Sequence, residues 1–556
     1  MNRAYELLHG NHKRGKIVLS TVSGILTTEP GMVTYFEDRV PSCDMITTKS
    51  YQVVQTFGHR EPVICSTKEG NFGNFVGLRN PGMDAVYPKL KALSDGGMRA
   101  ILNISLSANN PEDFATLVAR FDGIADLLEL NFSCPHAQAG FGASIGSDAE
   151  TAASYVRTIC ERVPVRKALL IIKLTPNVEH IGEIAKAVID AGADGVAAIN
   201  TVGPLEHIDP NSGEFIFSKL EGGRGGASGE WVKERALACV REIRAAIGDE
   251  PIILGMGGVT TAQDARNMLE AGADSVGVGS VLSRLEMADY ENFFAALKAG
   301  QNVTPYIVCG NKLQYQKHTV LKARTVSGDM RELTLSGEMN CYPGQFAFLW
   351  VPQVGEKPFS VAGNHPLKFL IRKRGFFSDY CFSLKEGDTV YTRGLYGKPM
   401  KIEPSEKALL LAGGSGVAVL PLIAEQLEKL HIPMKIKVGI PEKHEEEALE
   451  DVLAAYGEIS YVADDGKPGR VLDTITAEDI KGDVRVYIVG PGGMMRAASE
   501  RLLALGMDEE RIHISTEKLT LCGIGMCGEC VCAGRLACKE GTFYTLAELQ
   551  NGGEMS

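Results

Sequence analysis

The chain has 556 residues, too many for one hydrophobic core, and its length predicts three or four domains. A net charge of −12 argues against nucleic-acid binding, and no segment has the length and apolarity of a membrane span or the character of a signal peptide. The 13 cysteines are mostly scattered singly, which indicates thiols in a reducing compartment. We therefore expect a cytoplasmic protein without nucleic-acid or membrane partners.

The first 300 residues alternate apolar, strand-like runs with amphipathic stretches such as EIAKAVIDAGA. The strand-like runs are KIVLST, MITTKS, AILNIS, LLELNFS, LLIIKLT, GVAAINT, PIILGMGG and SVGVGS. Eight such repeats predict a (β/α)8 barrel within residues 1–300, and therefore an α/β fold for this part of the chain.

Polar residues cluster at the downstream ends of these runs, namely Lys49, Asn103, Asn131, Lys173, Asn200 and Thr201. In a barrel all of these ends open onto one face, where active sites are built. A lysine is costly to bury unless it is paired, so we expect the two lysines to face an anion. The alternative is that each one reaches solvent along its own stem.

The seventh and eighth runs end in glycines: Gly257 and Gly258 in GMGG, and Gly279 with Ser280 in GVGS. Glycines at these positions allow backbone N–H groups to approach a phosphate, which barrels usually bind there. The loop GGRGGASG is expected to contribute Gly226, Ser228 and Gly229 to the same site. For any single glycine pair, a simple turn is the alternative.

Residues 16–285 resemble dihydroorotate dehydrogenases and the flavin half of dihydropyrimidine dehydrogenases, through TKS, NFVGLRNPG, ELNFSCP, IKLTPN, INTVG, GMGG and VGVGS. The resemblance implies FMN as cofactor, held by the glycine and serine positions above together with Ser23, Lys49, Asn103, Asn131, Lys173 and Asn200. It also implies that a pyrimidine substrate contacts Lys49, Asn74, Val76, Gly77, Leu78, Asn131, Asn200 and Thr201.

Cys134, in NFSCPH, would be the general base of this chemistry. It would take a proton from a carbon next to a carbonyl, while the flavin takes hydride from the neighbouring carbon. A buried structural cysteine is the alternative. His136 stands where dihydroorotate enzymes usually have asparagine, and SCPH is typical of dihydropyrimidine dehydrogenases. The substrate thus stays open between dihydroorotate and a uracil- or thymine-type ring.

Residues 311–402 carry the runs KHTVLKARTV, RELTLSG, FAFLWV, KFLIRK and DTVYTRG, which predict a small antiparallel β-barrel. The segments KPFSVAG and RKRGFFS resemble the FAD-binding stretches of the ferredoxin-reductase family. The resemblance implies that Lys357, Pro358, Phe359 and Ser360 line FAD, and that Gly375 and Ser378 meet its pyrophosphate. A β-barrel adaptor without flavin is the alternative.

Residues 403–515 contain, near their start, the run ALLLAGGSGVAVLPLI. It predicts a strand, a glycine turn and a helix, which is a geometry that presents helix N–H groups to a pyrophosphate. With YVADDG and YIVGPGGMM, this region resembles the nicotinamide-binding lobe of the reductase family. The implied NAD-binding residues are Gly413, Gly414, Gly416, Asp464, Gly490 and Pro491. The choice between NAD and NADP stays open.

Residues 516–556 contain Cys522, Cys527, Cys530 and Cys538 with the spacing C-x4-C-x2-C-x7-C. The first three match the plant-type 2Fe-2S ferredoxin spacing, which predicts a one-electron carrier. A zinc knuckle is the alternative, although zinc usually takes paired CxxC or Cys/His spacings. Cys532 is the alternative to Cys538 as the fourth ligand.

Residues 311–545 resemble the FAD/2Fe-2S electron-transfer subunit of the dihydroorotate dehydrogenase B family. With the barrel, this resemblance implies oxidation of dihydroorotate to orotate, with electrons passed from FMN through 2Fe-2S and FAD to NAD+, in a homodimer. One alternative is an NAD(P)H-dependent reductase of uracil, thymine or a related cyclic ureide. Another is a diaphorase whose barrel has lost its own substrate chemistry.

Overall fold

The chain divides into two compact units. The first comprises Met1–Gln314 together with Ile524–Glu529, and the second comprises Tyr315–Gly523 together with Cys530–Ser556. A computed structural model describes residues 2–12, 16–132, 145–305, 307, 309–443, 445–453, 456–464, 466, 467 and 469–554.

The first unit alternates strands and helices along most of its length. Its strands are β1 (Leu19–Thr21), β2 (Met45–Thr47), β3 (Ile64–Lys68), β4 (Asn71–Asn74), β5 (Ile101–Leu106), β6 (Leu127–Asn131), β7 (Leu169–Lys173), β8 (Gly195–Ala198), β9 (Val202–Glu206), β10 (Arg224–Gly229), β11 (Ile252–Met256) and β12 (Ser275–Val278). Its helices are α1 (Arg3–His12), α2 (Pro30–Arg39), α3 (Met83–Asp95), α4 (Pro111–Phe121), α5 (Ala149–Arg162), α6 (Ile181–Asp190), α7 (Lys233–Ile247), α8 (Ala262–Glu270), α9 (Tyr290–Lys298) and α10 (Cys309–Lys312).

Eight parallel strands close into a barrel in the order β1-β12-β11-β8-β7-β6-β5-β2. Each strand lies within one of the eight predicted runs, except that β5 extends one residue beyond AILNIS, so the predicted barrel is confirmed. These strands are almost entirely buried, because helices cover their outer faces and side chains fill the interior. This explains why they read as continuous apolar runs rather than alternating ones.

A second, four-stranded antiparallel sheet in the first unit has the order β3-β4-β10-β9. The prediction of a loop at GGRGGASG is wrong, because residues 224–229 form β10 and pair with β4. The glycines permit close packing: a Cβ on Gly225 would lie 2.3 Å from the Phe217 ring, and one on Gly73 would lie 2.6 Å from the Cys65 sulfur. A run of glycines lacks the β-branched residues that mark strands, so composition conceals this strand.

The second unit has the strands β13 (Gln316–Ser327), β14 (Met330–Leu335), β15 (Phe346–Val351), β16 (Gly355–Asn364), β17 (Leu367–Arg372), β18 (Thr389–Tyr396), β19 (Lys407–Gly413), β20 (Met434–Ile440), β21 (Glu458–Ala463), β22 (Val484–Val489), β23 (Ile512–Ser515), β24 (Val531–Cys532), β25 (Arg535–Leu536) and β26 (Phe543–Thr545). Its helices are α11 (Phe376–Cys381), α12 (Leu420–Lys429), α13 (Glu445–Leu453), α14 (Gly492–Ala504), α15 (Ala537–Glu540) and α16 (Leu546–Asn551).

Strands β13 to β18 close into an antiparallel barrel in the order β13-β14-β17-β16-β15-β18, which confirms the predicted small barrel. A six-stranded sheet follows in the order β21-β20-β19-β22-β23-β26. Its first five strands are parallel, and β26, from the cysteine-rich tail, adds an antiparallel edge to β23. Across the described residues, no helix combines the length and apolarity needed to cross a bilayer.

Candidate functional site

A connected set of polar side chains lies at the carboxyl ends of the barrel strands. The Ser50 hydroxyl contacts the hydroxyls of Ser23 at 3.1 Å and Ser105 at 2.9 Å, and it accepts a hydrogen bond from Asn131 Nδ2 at 3.3 Å. Asn200 Nδ2 donates to Asn131 Oδ1 at 3.4 Å. The structure thus brings together Ser23, Asn131 and Asn200, three of the predicted FMN residues, and adds Ser50 and Ser105 as links between them.

A buried ion pair extends this set into the barrel. Lys173 Nζ lies 3.3 Å from Glu129 Oε1, which also accepts a hydrogen bond from the Ser105 hydroxyl at 3.2 Å. The side chains of Lys173 and Glu129 are 5% and 0% exposed. The alternative that Lys173 reaches solvent along its own stem is therefore wrong. Sequence reasoning missed Glu129; its only signal is a single charge inside the apolar run LLELN.

Two acceptor atoms in this region have no hydrogen-bond partner among the described residues, namely Asn103 Oδ1 and Glu129 Oε2. Asn103 is fully buried, and its Nδ2 donates to Thr47 Oγ1 at 3.2 Å. A buried polar atom without a partner is costly and generally marks a missing ligand or water. The site therefore suits a group that carries N–H or O–H donors, such as an isoalloxazine with its ribityl chain.

The glycines after β11 and β12 lie against neighbouring residues with little room for a side chain. Gly258 has φ +72°, and a Cβ there would lie 2.9 Å from the Lys233 Cβ and 3.0 Å from the Gly229 carbonyl oxygen. A Cβ on Gly279 would lie 2.9 Å from Val22, which precedes Ser23. Gly258 and Gly229, predicted separately as phosphate-binding positions, are thus neighbours, and Gly279 borders the loop after β1.

Lys49 lies just beyond β2, and its Nζ would be 3.6 Å from a Cβ on Gly24, at the loop after β1. Thr201 follows Asn200 directly; its N–H donates to Asn200 Oδ1 at 2.8 Å, and its carbonyl accepts from Asn177 Nδ2 at 3.1 Å. Both residues therefore occupy the predicted end of the barrel.

The remaining predicted substrate residues belong to the small antiparallel sheet. Asn74 ends β4, and its Nδ2 donates to the Gly226 carbonyl of β10 at 3.1 Å. The turn beyond it contains Val76, Gly77 and Leu78, with φ +68° at Gly77 and +55° at Leu78. Cys134 and His136, predicted as base and substrate neighbour, lie outside the described residues.

In the second unit, the segment predicted to line FAD lies on β16. Lys357, Pro358, Phe359 and Ser360 pair with β15. The Ser378 hydroxyl accepts hydrogen bonds from the N–H groups of Arg374 at 2.7 Å and Gly375 at 3.1 Å. Ser378 therefore closes the turn before α11, and the FAD contacts of this segment stay a prediction.

The predicted NAD-binding glycines lie at the carboxyl ends of two adjacent parallel strands. Gly413 ends β19, and Gly490 with Pro491 follows β22. The chain runs from β19 outward to β21 and then returns to β22 on the other side, so the strand order reverses between β19 and β22, where doubly wound sheets bind nucleotides. A Cβ on Gly416 would lie 2.2 Å from the Val489 carbonyl oxygen, so only glycine fits there.

Asp464 lies beyond β21, which β20 and β19 separate from β22, and its side chain organises the following loop. Its Oδ1 accepts hydrogen bonds from the N–H groups of Gly469 at 2.9 Å and Arg470 at 3.3 Å. Gly414, with φ +56°, begins a short 3-10 turn, and α12 starts only at Leu420. The predicted glycine turn thus leads into a helix later than the sequence pattern indicates.

Three of the predicted iron ligands gather within the second unit. Hydrogen bonds from the Cys538 thiol to the sulfurs of Cys522 and Cys530, together with burial, raise the pKa of Cys538 well above its usual value. All three cysteines are at most 1% exposed. No set of three or more histidine, cysteine, aspartate or glutamate side chains among the described residues meets the geometry of a single metal-ion site. The all-sulfur donor set nevertheless fits iron–sulfur chemistry, in which thiolates surround a cluster rather than one ion.

Cys527 belongs to the segment Ile524–Glu529, which packs with the first unit. The Thr28 hydroxyl donates to the Cys527 carbonyl at 2.6 Å, and the Leu26 N–H donates to Met526 O at 2.8 Å. Gly528 has φ +73°, and a Cβ there would lie 1.7 Å from the Leu26 carbonyl oxygen. The loop that begins after β1 therefore holds this segment through specific backbone contacts.

A closed parallel barrel with a buried polar network at its carboxyl ends places the first unit in the class of (β/α)8 barrel proteins, whose active sites lie at that end. A protein-family model described as dihydroorotate dehydrogenase matches residues 31–298. The catalytic subunit of dihydroorotate dehydrogenase B (NAD(+)) from Methanothermobacter thermautotrophicus is 38% identical over 237 residues, which is 43% of this chain and 74% of that protein. The chain belongs to the dihydroorotate dehydrogenase family.

Two further relatives carry the same description. The protein from Methanopyrus kandleri is 37% identical, over 44% of this chain and 76% of its own length, and that from Alkaliphilus metalliredigens is 39% identical, over 40% and 70%. Among solved structures, an NADH-dependent reduced ferredoxin-NADP oxidoreductase aligns with 43% of this chain and 92% of its own, at 22% identity and a TM-score of 0.39. That TM-score is too low to establish a common fold.

Proposed function

We propose that this protein oxidises dihydroorotate to orotate and passes the electrons from FMN through a 2Fe-2S cluster and FAD to NAD+. The observation that carries the proposal is the buried network of Glu129, Lys173, Ser50 and Asn131 in a barrel of this family. Two buried acceptors of the same strands, Asn103 Oδ1 and Glu129 Oε2, have no hydrogen-bond partner among the described residues. The named activity of the relatives, dihydroorotate dehydrogenase with NAD(+), supports the same reaction.

In this proposal the FMN ring and ribityl chain contact Asn103, Asn131, Lys173 and Asn200. Bound FMN would supply a two-electron acceptor for hydride. A fixed ammonium is suited to stabilise the negative charge that such an acceptor gains, and Lys173 is held in place by Glu129. The glycines Gly229, Gly257, Gly258 and Gly279, with Gly226, Ser228 and Ser280, would receive the phosphate through backbone and hydroxyl groups.

The substrate would lie beside Lys49, Asn74, Asn131, Asn200 and Thr201. Its orientation has to bring one ring carbon, next to a carbonyl, to Cys134 and the neighbouring carbon to the flavin. The Cys134 thiolate would take the proton from the first carbon, and the hydride would leave from the second, which forms the ring double bond. The role of Cys134 rests on its place in the sequence NFSCPH.

The second unit would carry the electrons to nicotinamide. The strand β16, with Lys357 to Ser360, would hold FAD, with Gly375 and Ser378 at its pyrophosphate. NAD+ would bind where the strand order reverses, between β19 and β22, at Gly413, Gly414, Gly416, Gly490 and Pro491. Asp464, which follows β21, would contact it from the edge of the sheet. The four cysteines Cys522, Cys527, Cys530 and Cys538 would hold the cluster. The proposed domains are residues 1–300, 311–402, 403–515 and 516–556, in a homodimer.

The decisive experiment uses the purified full chain with both flavins and iron bound. We expect NAD+ to be reduced when dihydroorotate is added, and dihydroorotate alone to bleach the flavin absorbance under anaerobic conditions. NADH oxidation that depends on uracil or thymine, without any dihydroorotate activity, would instead establish the cyclic-ureide reductase, which the presence of His136 in SCPH favours. If NADH reduces dyes but neither class of substrate bleaches the flavin, the protein is instead a diaphorase whose barrel has lost its own substrate chemistry.

A further inference from the structure

The buried Arg393 of β18 is linked to the peptide that carries Cys522. Its Nη1 donates to the Cys522 carbonyl oxygen at 2.9 Å and to the Tyr396 hydroxyl at 2.6 Å, and its Nη2 donates to the Leu521 carbonyl at 3.4 Å. Its Nε donates to Glu356 Oε2 at 2.6 Å, and its Nη2 also bonds Glu356 Oε1. All five N–H donors of the guanidinium are therefore paired.

Full pairing explains why such a charge can lie in the interior. Arg393 and Glu356 are both 0% exposed, and a buried cation is tolerated only with a paired anion and satisfied donors. The guanidinium also lies 3.9 Å above the Phe348 ring, and Tyr315 donates to Glu356 Oε2 at 2.6 Å. These hydrogen bonds require the planar guanidinium with its five donors, so a lysine ammonium with three donors cannot replace Arg393.

Two further contacts connect the same strand end to the cysteine loops. Gly523 has φ +81°, and a Cβ there would lie 2.5 Å from the Tyr396 ring, so the loop rests directly on that ring. The Gly397 N–H donates to the Cys538 carbonyl at 2.9 Å. The end of β18 thus holds the backbone of Cys522 and that of Cys538.

The other partner of Arg393 leads to the strand predicted to line FAD. Glu356 precedes Lys357 on β16. On neighbouring strands of the barrel, Pro358 of β16 pairs with Phe348 of β15, and Phe348 pairs with Arg393 of β18. One row of residues therefore connects β16 to the peptide of Cys522.

We propose that Arg393 is a positioning residue that fixes the cluster-bearing cysteine loop to the FAD-binding strand, with Glu356 and Tyr396 as its supports. The inference rests on the proposed function, because it assumes that the cysteines hold a 2Fe-2S cluster. Arg393 donates to the backbone carbonyls of Leu521 and Cys522, so it acts through the ligand-bearing peptide. Loss of this fork would loosen one ligand peptide while the rest of the barrel keeps its hydrogen bonds.

The test compares Arg393→Lys with a matched control, Arg324→Lys, in the full chain with flavins and iron. Arg324 pairs with Glu332 at 3.3 Å between β13 and β14 of the same barrel. We expect Arg393→Lys to retain FAD and NADH-driven dye reduction, to lose acid-labile sulfide in air at least fivefold faster than wild type, and to change the electron paramagnetic resonance spectrum of the reduced cluster. Arg324→Lys should match wild type in all three measurements.

An unchanged spectrum and decay rate in Arg393→Lys, or an equal change in Arg324→Lys, would overturn the inference. If Arg393→Lys does not fold, Tyr396→Phe provides the test, because it removes one hydrogen bond and keeps the ring under Gly523. Faster sulfide loss in that variant supports the inference, and a wild-type rate refutes it. A wild-type chain without iron and sulfide would refute the proposed relay itself, and with it the assumption behind this inference.

Discussion

The ion pair between Glu129 and Lys173 predicts a large, local effect of the isosteric change Glu129→Gln. The atoms are 3.3 Å apart and both side chains are buried. At an effective dielectric constant of about 20, Coulomb's law gives roughly 5 kcal/mol for such a pair. Removing one partner of a buried pair typically costs about 3 to 5 kcal/mol, since the other charge is left uncompensated. We therefore expect the free energy of unfolding of the barrel to fall by about 3 to 5 kcal/mol in Glu129→Gln.

Peptide-resolved hydrogen exchange on the flavin-free protein measures this loss where it occurs. At about 1.4 kcal/mol for each factor of ten, amides of β6 and β7 should exchange roughly 100- to 4,000-fold faster in Glu129→Gln. The control is Asp190→Asn, which breaks an ion pair with Lys186 on α6 whose side chains are about 60% exposed. Surface pairs contribute at most about 1 kcal/mol, so the control should remain within fivefold of wild type.

A result within threefold of wild type for Glu129→Gln would contradict the reasoning. It would mean that Lys173 is neutral in the flavin-free barrel, or that it finds another anion there. In either case the lysine could not be described as a fixed ammonium positioned by Glu129, and its proposed role beside the flavin would have to be abandoned.

The barrel was predictable because its signals are local. Eight apolar runs mark eight strands, and in a parallel barrel the polar residues at their ends must face the same side. Asn131 and Asn200, 69 residues apart, hydrogen-bond each other for this reason. Their assignment to FMN or substrate, by contrast, comes from resemblance and stays a prediction.

The features that sequence reasoning missed depend on tertiary contacts. Glu129 and Arg393 are single charges within strand-like runs, and such residues normally face solvent. Only the folded structure reveals that each one is buried against a partner on another strand, 44 residues away for Glu129 and 37 for Arg393. The glycine-rich strand β10 was hidden for a different reason, because its small residues leave room for neighbours instead of filling space themselves.

Three further predictions test other parts of the molecule. Cys134→Ala should slow dihydroorotate oxidation by roughly two to four orders of magnitude and leave NADH-driven dye reduction unchanged, whereas Cys160→Ala should affect neither in steady-state assays. Gly258→Ala should weaken FMN binding at least tenfold in equilibrium titrations, because its Cβ would contact neighbouring backbone; Gly97→Ala, with a similar positive φ but open space around it, should not. Desolvation in β23, the largest cause, lowers the pKa of His513 to about 4 from its ordinary 6.5. Because the folded-state pKa is lowered, the unfolded chain binds the proton first as the pH falls. The contribution of neutral, buried His513 to stability is therefore complete above pH 6.5 and is lost as the pH falls towards 4. The loss should reach about 3 kcal/mol, at 1.36 kcal/mol for each pKa unit. In His513→Gln the protection of β23 amides should lose this pH dependence, and an unchanged dependence between pH 6.5 and 4 would show that another group controls it.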